Sequence, residues 1–192
     1  LAESPTEARE VEATVSSSAA RYFAKCGVLS GHFVGAHGVW VDDEELSLLA
    51  QARAALVHCP GSNLKLGSGL ANVRRWVHVG LKRVIGSYGA ACDNRLDTFH
   101  EMSLAALLSR ALEPDDPVGA REALALATCE GARALGLGGV TGSLEAGRQA
   151  DVIVVDHTAP HQAPHSTLDP YTTLVHATRA SDVRLTMVAG RI

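Results

Sequence analysis

At 192 residues, 46% of them hydrophobic, the chain is long enough to bury a real core as one domain, or as one domain and a piece of another. Its net charge of −4, with acidic and basic residues interspersed, argues against a nucleic-acid groove or an anionic membrane as partner and leaves small neutral or weakly charged ligands. The four cysteines, Cys26, Cys59, Cys92 and Cys129, form no C-x-x-C pair, so neither a zinc ribbon nor a disulfide framework is expected, and reduced thiols in a cytoplasmic protein are.

The chain starts at Leu1 and its first methionine is Met102, an arrangement expected of a fragment, a processed product or a truncated record. No signal peptide opens it, and no apolar run approaches the ~18 residues that span a bilayer. Thr6 to Cys26 is expected as one helix ended by Gly27. His32 to Val41 is β-like, and Asp42 and Asp43 then offer N-caps for a helix to about Ala54. Ala55 to Cys59 is the next strand, followed by a Gly/Ser/Asn-rich loop from Pro60 to Gly69 and a helix to Val79. Arg83 to Ser87 is a further strand, Tyr88 to Asn94 a loop, and Leu96 to Leu112 and Pro117 to Leu135 are long helices. Beyond Leu137 come a turn-rich stretch, a strand from Ala150 to Asp156, a polar segment with His157, His161 and His165, and a last strand from Leu185 to Ala189.

Strand, loop and helix recurring in this order imply a parallel α/β fold. No glycine-rich phosphate turn follows the first strand, which disfavours a doubly wound sheet. The residues with chemical potential, Glu3, His37, Ser62 to Lys65 and Tyr88 to Asn94, fall after the strands, where a TIM barrel carries its active site. Four strand units are half of eight. The expected architecture is therefore the C-terminal half of a (β/α)8 barrel over 1–137, with part of a small β-sandwich as an appendage over 138–192.

Taken one at a time, these residues have plainer readings. Glu3 is a solvated carboxylate near a terminus, and His37 a hydrogen-bonded structural histidine. Gly67 and Gly69 make an ordinary turn. The spacing of His157, His161 and His165 would suit a metal site on a helix, but Pro160 and Pro164 interrupt that helix, so an exposed loop is expected.

Five stretches in order outweigh those readings. Leu1-Ala2-Glu3-Ser4 resembles the end of the fifth barrel strand of the amidohydrolase superfamily, where a metal-binding histidine directly precedes Leu-x-Glu. Ala36-His37-Gly38-Val39-Trp40 is similar to the sixth strand, and His58-Cys59-Pro60-Gly61-Ser62-Asn63-Leu64-Lys65-Leu66 to the seventh. Gly86-Ser87-Tyr88-Gly89-Ala90-Ala91-Cys92-Asp93-Asn94 resembles the eighth, and Gly142-Ser143-Leu144-Glu145-Ala146-Gly147-Arg148-Gln149-Ala150-Asp151 the return into the β-sandwich. The likeness is to deaminases of adenosine-like substrates such as S-adenosylhomocysteine and 5′-deoxyadenosine, to guanine deaminases and to triazine chlorohydrolases.

The resemblance implies hydrolysis of a C–N or C–Cl bond on a small nitrogen heterocycle, with deamination of an adenosine-like substrate foremost. In that family zinc or iron activates the water. Two histidines of the first strand, one of the fifth and an aspartate of the eighth hold the metal. Carried over, Glu3 is the proton shuttle and His37 the polarising histidine, and Glu3, His37 and Asn63 contact the substrate. The other ligands would precede Leu1, and Tyr88 stands where the metal-binding aspartate belongs. A phenol is a poor substitute for a carboxylate as ligand and base at neutral pH. No intact metal site is expected, so the chain alone should bind no metal and turn over nothing. A missing N-terminal half or a homo-oligomer would be needed. The alternative implied by Tyr88 is a degenerate, non-catalytic homologue that binds a purine-like ligand or a partner chain.

Overall fold

The computed structural model describes residues 1–163 and 169–192. In chain order its elements are α1 (Pro5–Val15), α2 (Ala19–Lys25), β1 (Val34–Ala36), α3 (Asp43–Gln51), β2 (Ala55–His58), α4 (Pro60–Lys65), α5 (Val73–His78), β3 (Lys82–Ile85), α6 (Ala90–Asp93), α7 (Thr98–Leu112), α8 (Ala120–Ala127), α9 (Cys129–Ala134), β4 (Val152–Val155), α10 (Pro170–His176) and β5 (Val183–Met187). Short 3-10 turns cover Pro160–Gln162 and Ala180–Asp182.

The helix starts follow local chemistry. Ser4 accepts a hydrogen bond from the Glu7 N–H, with Pro5 in the first turn of α1. Asp42 and Glu45 form a reciprocal capping box at the start of α3. Asp97 caps α7 through the N–H groups of Phe99 and His100.

The strands β1, β2 and β3 form one parallel sheet in that order, with β2 central. Parallel strands need crossovers, which α3 supplies between β1 and β2, and α4 with α5 between β2 and β3. Leu56 of β2 is fully buried, packed in a core with Leu46, Leu49, Trp76 and Leu81. The start of the chain docks beside β1 through backbone hydrogen bonds and through Leu1 and Ala2, which pack against the core. The Leu1 ammonium donates to Ala36 O (3.1 Å), Gly38 N donates to Leu1 O (3.0 Å), and the N–H groups of Val39 and Trp40 donate to Ala2 O. Farther along, β4 and β5 pair antiparallel as a ribbon whose Ile153 and Val154 are about half exposed. The helix α10 packs on α7 and α8.

Several expected boundaries move. The single helix over 6–26 is two, because Ser16 closes α1 in the left-handed conformation (φ 53°). The strand expected over 32–41 shrinks to three residues, since His37 and Gly38 turn to positive φ. The loop expected over 60–69 begins with a helix started by Pro60, and α6 lies within the loop expected over 88–94. The helix expected over 117–135 breaks at Thr128 into α8 and α9. Of four expected strand units, three pair as strands, and the first is the two-residue docking of Leu1 and Ala2. No helix among the described residues is long and apolar enough to cross a membrane.

One buried cation ties the helical layer together. The Arg74 guanidinium of α5 forks onto both Glu122 oxygens of α8 (3.2 and 3.0 Å) and donates to the carbonyls of Asp116 (2.8 Å) and Pro117 (2.6 Å). Glu122 is half exposed, so the pair is worth less than a fully desolvated one. Replacing Arg74 with Met should lower the unfolding free energy by about 2 kcal/mol in urea titrations; an unchanged midpoint would show that the fork holds nothing.

Candidate active site

Glu3, His37, Asn63 and Tyr88 come from four segments that end at the same edge of the parallel sheet. His37 directly follows β1, and its N–H continues the ladder to Val57 O (2.9 Å). Its backbone is left-handed (φ 75°), a conformation that costs a non-glycine residue of order 1 kcal/mol or more and must be held by its surroundings. The holding contacts are next in the chain. Gly38 is also left-handed (φ 55°), and a Cβ there would come within 2.7 Å of Leu56 and 3.1 Å of Trp76, so only glycine lets the chain turn over the core.

This turn buries the His37 ring at 2% exposure and fixes both of its nitrogens. Nδ1 lies 2.8 Å from Asn63 Oδ1, and Nε2 lies 3.5 Å from Glu3 Oε2. An amide oxygen only accepts, so Nδ1 carries a proton and donates it to Asn63. Nε2 faces the Glu3 carboxylate beyond hydrogen-bond geometry and is otherwise buried without a protein partner. Glu3 is held from two directions: Ser68 Oγ donates to its Oε1 (3.1 Å), and its own N–H donates to Glu7 Oε2 (2.6 Å). Tyr88, left-handed at φ 65° and 59% exposed, sets its ring against the His37 ring at 4.4 Å and 68°.

Asn63 sits in α4, 1% exposed, with its Nδ2 group buried and without a protein partner. The loop after α4 closes back on it, as Ser68 N donates to Asn63 O (2.9 Å). Trp40 Nε1 donates to Ser68 O (2.7 Å), while the residue stays about half exposed beside the Glu3–Ser68 contact. Ser68 and Trp40 escape sequence reasoning. The only available signal was their place in or near the Gly67–Gly69 turn, where a Cβ at Gly69 would press on Val39 at 2.9 Å and on Trp40 at 3.2 Å.

Nearby nucleophile and base candidates are excluded by burial. It pushes the Cys59 thiol up to about 11 and the His58 imidazole down to about 4, so neither is a thiolate nor an imidazolium at neutral pH. His58 instead meets Trp76 edge-on at 5.9 Å as part of the core.

Among the described residues no three His, Cys, Asp or Glu side chains gather closely enough to hold an ion. At the site itself His37 has one nitrogen committed to Asn63, Glu3 is tied to Ser68, and the third group is a phenol ring lying against the imidazole. His161 is bound to Asp182 (2.9 Å), and His165, the last of the spaced histidines, lies outside the described residues.

The amidohydrolase family model matches residues 2–192. The chain belongs to the amidohydrolase family. It is 41% identical over its whole length to the 5-methylthioadenosine/S-adenosylhomocysteine deaminase of Moorella thermoacetica, and it spans 45% of that relative. An adenosine deaminase from Xanthomonas campestris with bound zinc superposes with a TM-score of 0.93 at 31% identity, over 99% of this chain and 43% of the other. E. coli guanine deaminase follows at 0.91 and 25%, over 100% and 46%. The chain thus spans under half the length of these relatives, and its mixed α/β structure is theirs over that span. Its relatives in that family include purine deaminases, and one solved neighbour holds zinc.

Beneath the site, a buried carboxyl pair fastens α4. Glu101, fully buried on α7, accepts the Gly61 N–H at 3.0 Å, and a Cβ at Gly61 would collide with both Glu101 Oε1 and Asp93 Oδ1. Burial pushes the Glu101 carboxyl up to about 7; the Gly61 N–H opposes that shift, and the neighbouring Asp93 adds to it. The folded form therefore holds a proton that the unfolded chain releases near its ordinary value of 4.5. Stability should fall as pH rises from about 4.5 to 7, by on the order of 2 kcal/mol, and level off above. Urea titrations at pH 5 and 8 read this slope, and Glu101→Gln should flatten it; a wild-type stability independent of pH over that window would refute the protonated Glu101.

Proposed function

We propose that this chain contributes the proton-handling half of the active site of a purine-type deaminase. Residues 1–137 serve as the second half of a (β/α)8 barrel and 138–192 as strands of a small β-rich appendage. The strand edge at β3 and the short edge at Leu1–Ala2 are open to pairing, and further polypeptide closes them, either an N-terminal half or a second copy. The named relatives act on methylthioadenosine, S-adenosylhomocysteine, adenosine and guanine, which supports an adenosine-like heterocycle as substrate.

The observation that carries this reading is the Glu3–His37–Asn63 relay: a carboxylate and an imidazole 3.5 Å apart, with the far imidazole nitrogen locked at 2.8 Å. Deamination adds water across a ring C=N bond and expels ammonia, so a proton must move to a ring nitrogen and then to the leaving amine. Glu3, held by Ser68 and a quarter exposed at its side chain, is placed to carry that proton. His37, with Nδ1 committed, presents only Nε2 to the reacting centre and polarises it as a donor. Asn63 Nδ2, buried and unpartnered, offers a further donor to the heterocycle. The side chains present do not fit zinc or iron unaided, so hydrolysis by this chain alone is not expected.

A second reading rests on Tyr88: a degenerate homologue that binds a purine-like ligand or a partner chain, with the phenol ring closing the site over His37. The two readings separate on one experiment. Tyr88→Asp is introduced into a protein that carries the completing half, and ammonia release from S-adenosylhomocysteine is followed. Turnover at least ~100-fold above the unsubstituted protein, abolished again by Glu3→Gln, is the expected result. No gain from Tyr88→Asp, with purine binding retained, would favour the binding homologue.

A further inference from the structure

The start of α7, the end of α10 and the 3-10 turn at Ala180–Asp182 enclose a cavity of about 450 Å³ that shares no residue with the Glu3–His37 site. We propose that this cavity binds a small phosphate-bearing anion.

Charge is the first reason. In a chain of net charge −4, five cationic or protonatable side chains line this one space: Arg95, His100, His161, His176 and Arg179. Among the described residues the lining holds one carboxylate, Asp97, and its oxygens are engaged by backbone. Oδ1 takes the N–H groups of Phe99 and His100 (2.9 and 3.3 Å), and Oδ2 takes that of Ala180 (3.2 Å). Asp182, buried behind the wall, is likewise filled by His161 Nε2 (2.9 Å), Gln162 Nε2 (3.0 Å) and Arg179 N–H (2.9 Å). Asp97 is thus occupied by backbone donors, and Asp182, though it lies in the field of Arg179, has its hydrogen-bonding oxygen filled by other groups.

The second reason is that neither guanidinium is committed to a hydrogen bond or ion pair among the described residues. Arg21, Arg74, Arg75, Arg133, Arg148 and Arg184 are each paired with a carboxylate. Arg95 and Arg179 engage only their backbone N–H groups, with Asp93 and Asp182, and their side chains make no hydrogen bond or ion pair among the described residues. Two planar forks facing one cavity match the oxygens of a phosphate better than a halide or a single carboxylate. The walls are also fixed. Asp97 ties α7 to the 3-10 turn through Ala180, and Asp182 ties that turn to the segment of His161. The cations are thus brought together by structure already in place, and the cavity size suits a phosphate ester of nucleotide dimensions.

Calorimetric titration of the 192-residue chain with inorganic phosphate, at ionic strength held constant with chloride, tests this. Saturable binding is expected, weakened at least about tenfold by the double substitution Arg95→Gln and Arg179→Gln, and unchanged by Arg191→Gln, an exposed arginine outside the cavity. Because both cavity arginines are exposed and neither side chain makes a hydrogen bond or ion pair among the described residues, the double variant should melt close to the parent without ligand, which separates lost binding from lost folding. Adenosine monophosphate is the second probe: affinity equal to or above that of phosphate is expected, from a free or an esterified phosphate. Phosphate no better than chloride, undiminished affinity in the double variant, or adenosine binding as well as its monophosphate would each overturn the proposal.

Discussion

The hydrogen bond between His37 Nδ1 and Asn63 Oδ1 is the constraint on which the site depends. It joins the residue after β1 to the helix after β2, and it does so inside the protein, where an unpaired nitrogen would cost free energy. With Nδ1 committed, Nε2 can only point at Glu3, and Glu3 in turn can only be where Ser68 and its own N–H hold it. The strained turn at His37–Gly38 persists because the next N–H groups are taken by Leu1 and Ala2. Chain start, strand end and helix thus specify one another.

The same economy explains what the chain lacks. Among the described residues three strands pair in parallel, and Glu3, His37 and Asn63 meet at the C-terminal edge of that sheet with no third metal-ligating side chain beside them. Relatives of about twice the length, one of them with zinc bound, accommodate this chain over its whole span. Tyr88, lying edge-on to His37, occupies the remaining side of the imidazole with a ring that contributes packing.

Much of this was legible in the sequence, and for physical reasons. The parallel α/β order follows from strand and helix periods, and Asp42 marks the start of α3 as its cap. Glu3, His37 and Asn63 were marked out by the ordered motifs, and the fold brings them together. What failed were boundaries set by backbone sign. Ser16 and His37 take positive φ with nothing in their side chains to announce it, so a helix was drawn too long and a strand too long. Pro60 was read as a loop residue although proline also opens helices, which hid α4 and with it the burial of Asn63. Ser68 and Trp40 were missed because their roles arise across 65 and 28 residues of chain, beyond any local pattern.

The most direct test of the central geometry is nitrogen NMR of the chain labelled at histidine. His37 should show a protonated Nδ1 with a hydrogen-bonded shift, and Asn63→Ala should abolish that signature while the fold persists. A His37 ring whose Nδ1 carries no proton, or one indifferent to the loss of Asn63, would contradict the relay and the function built on it.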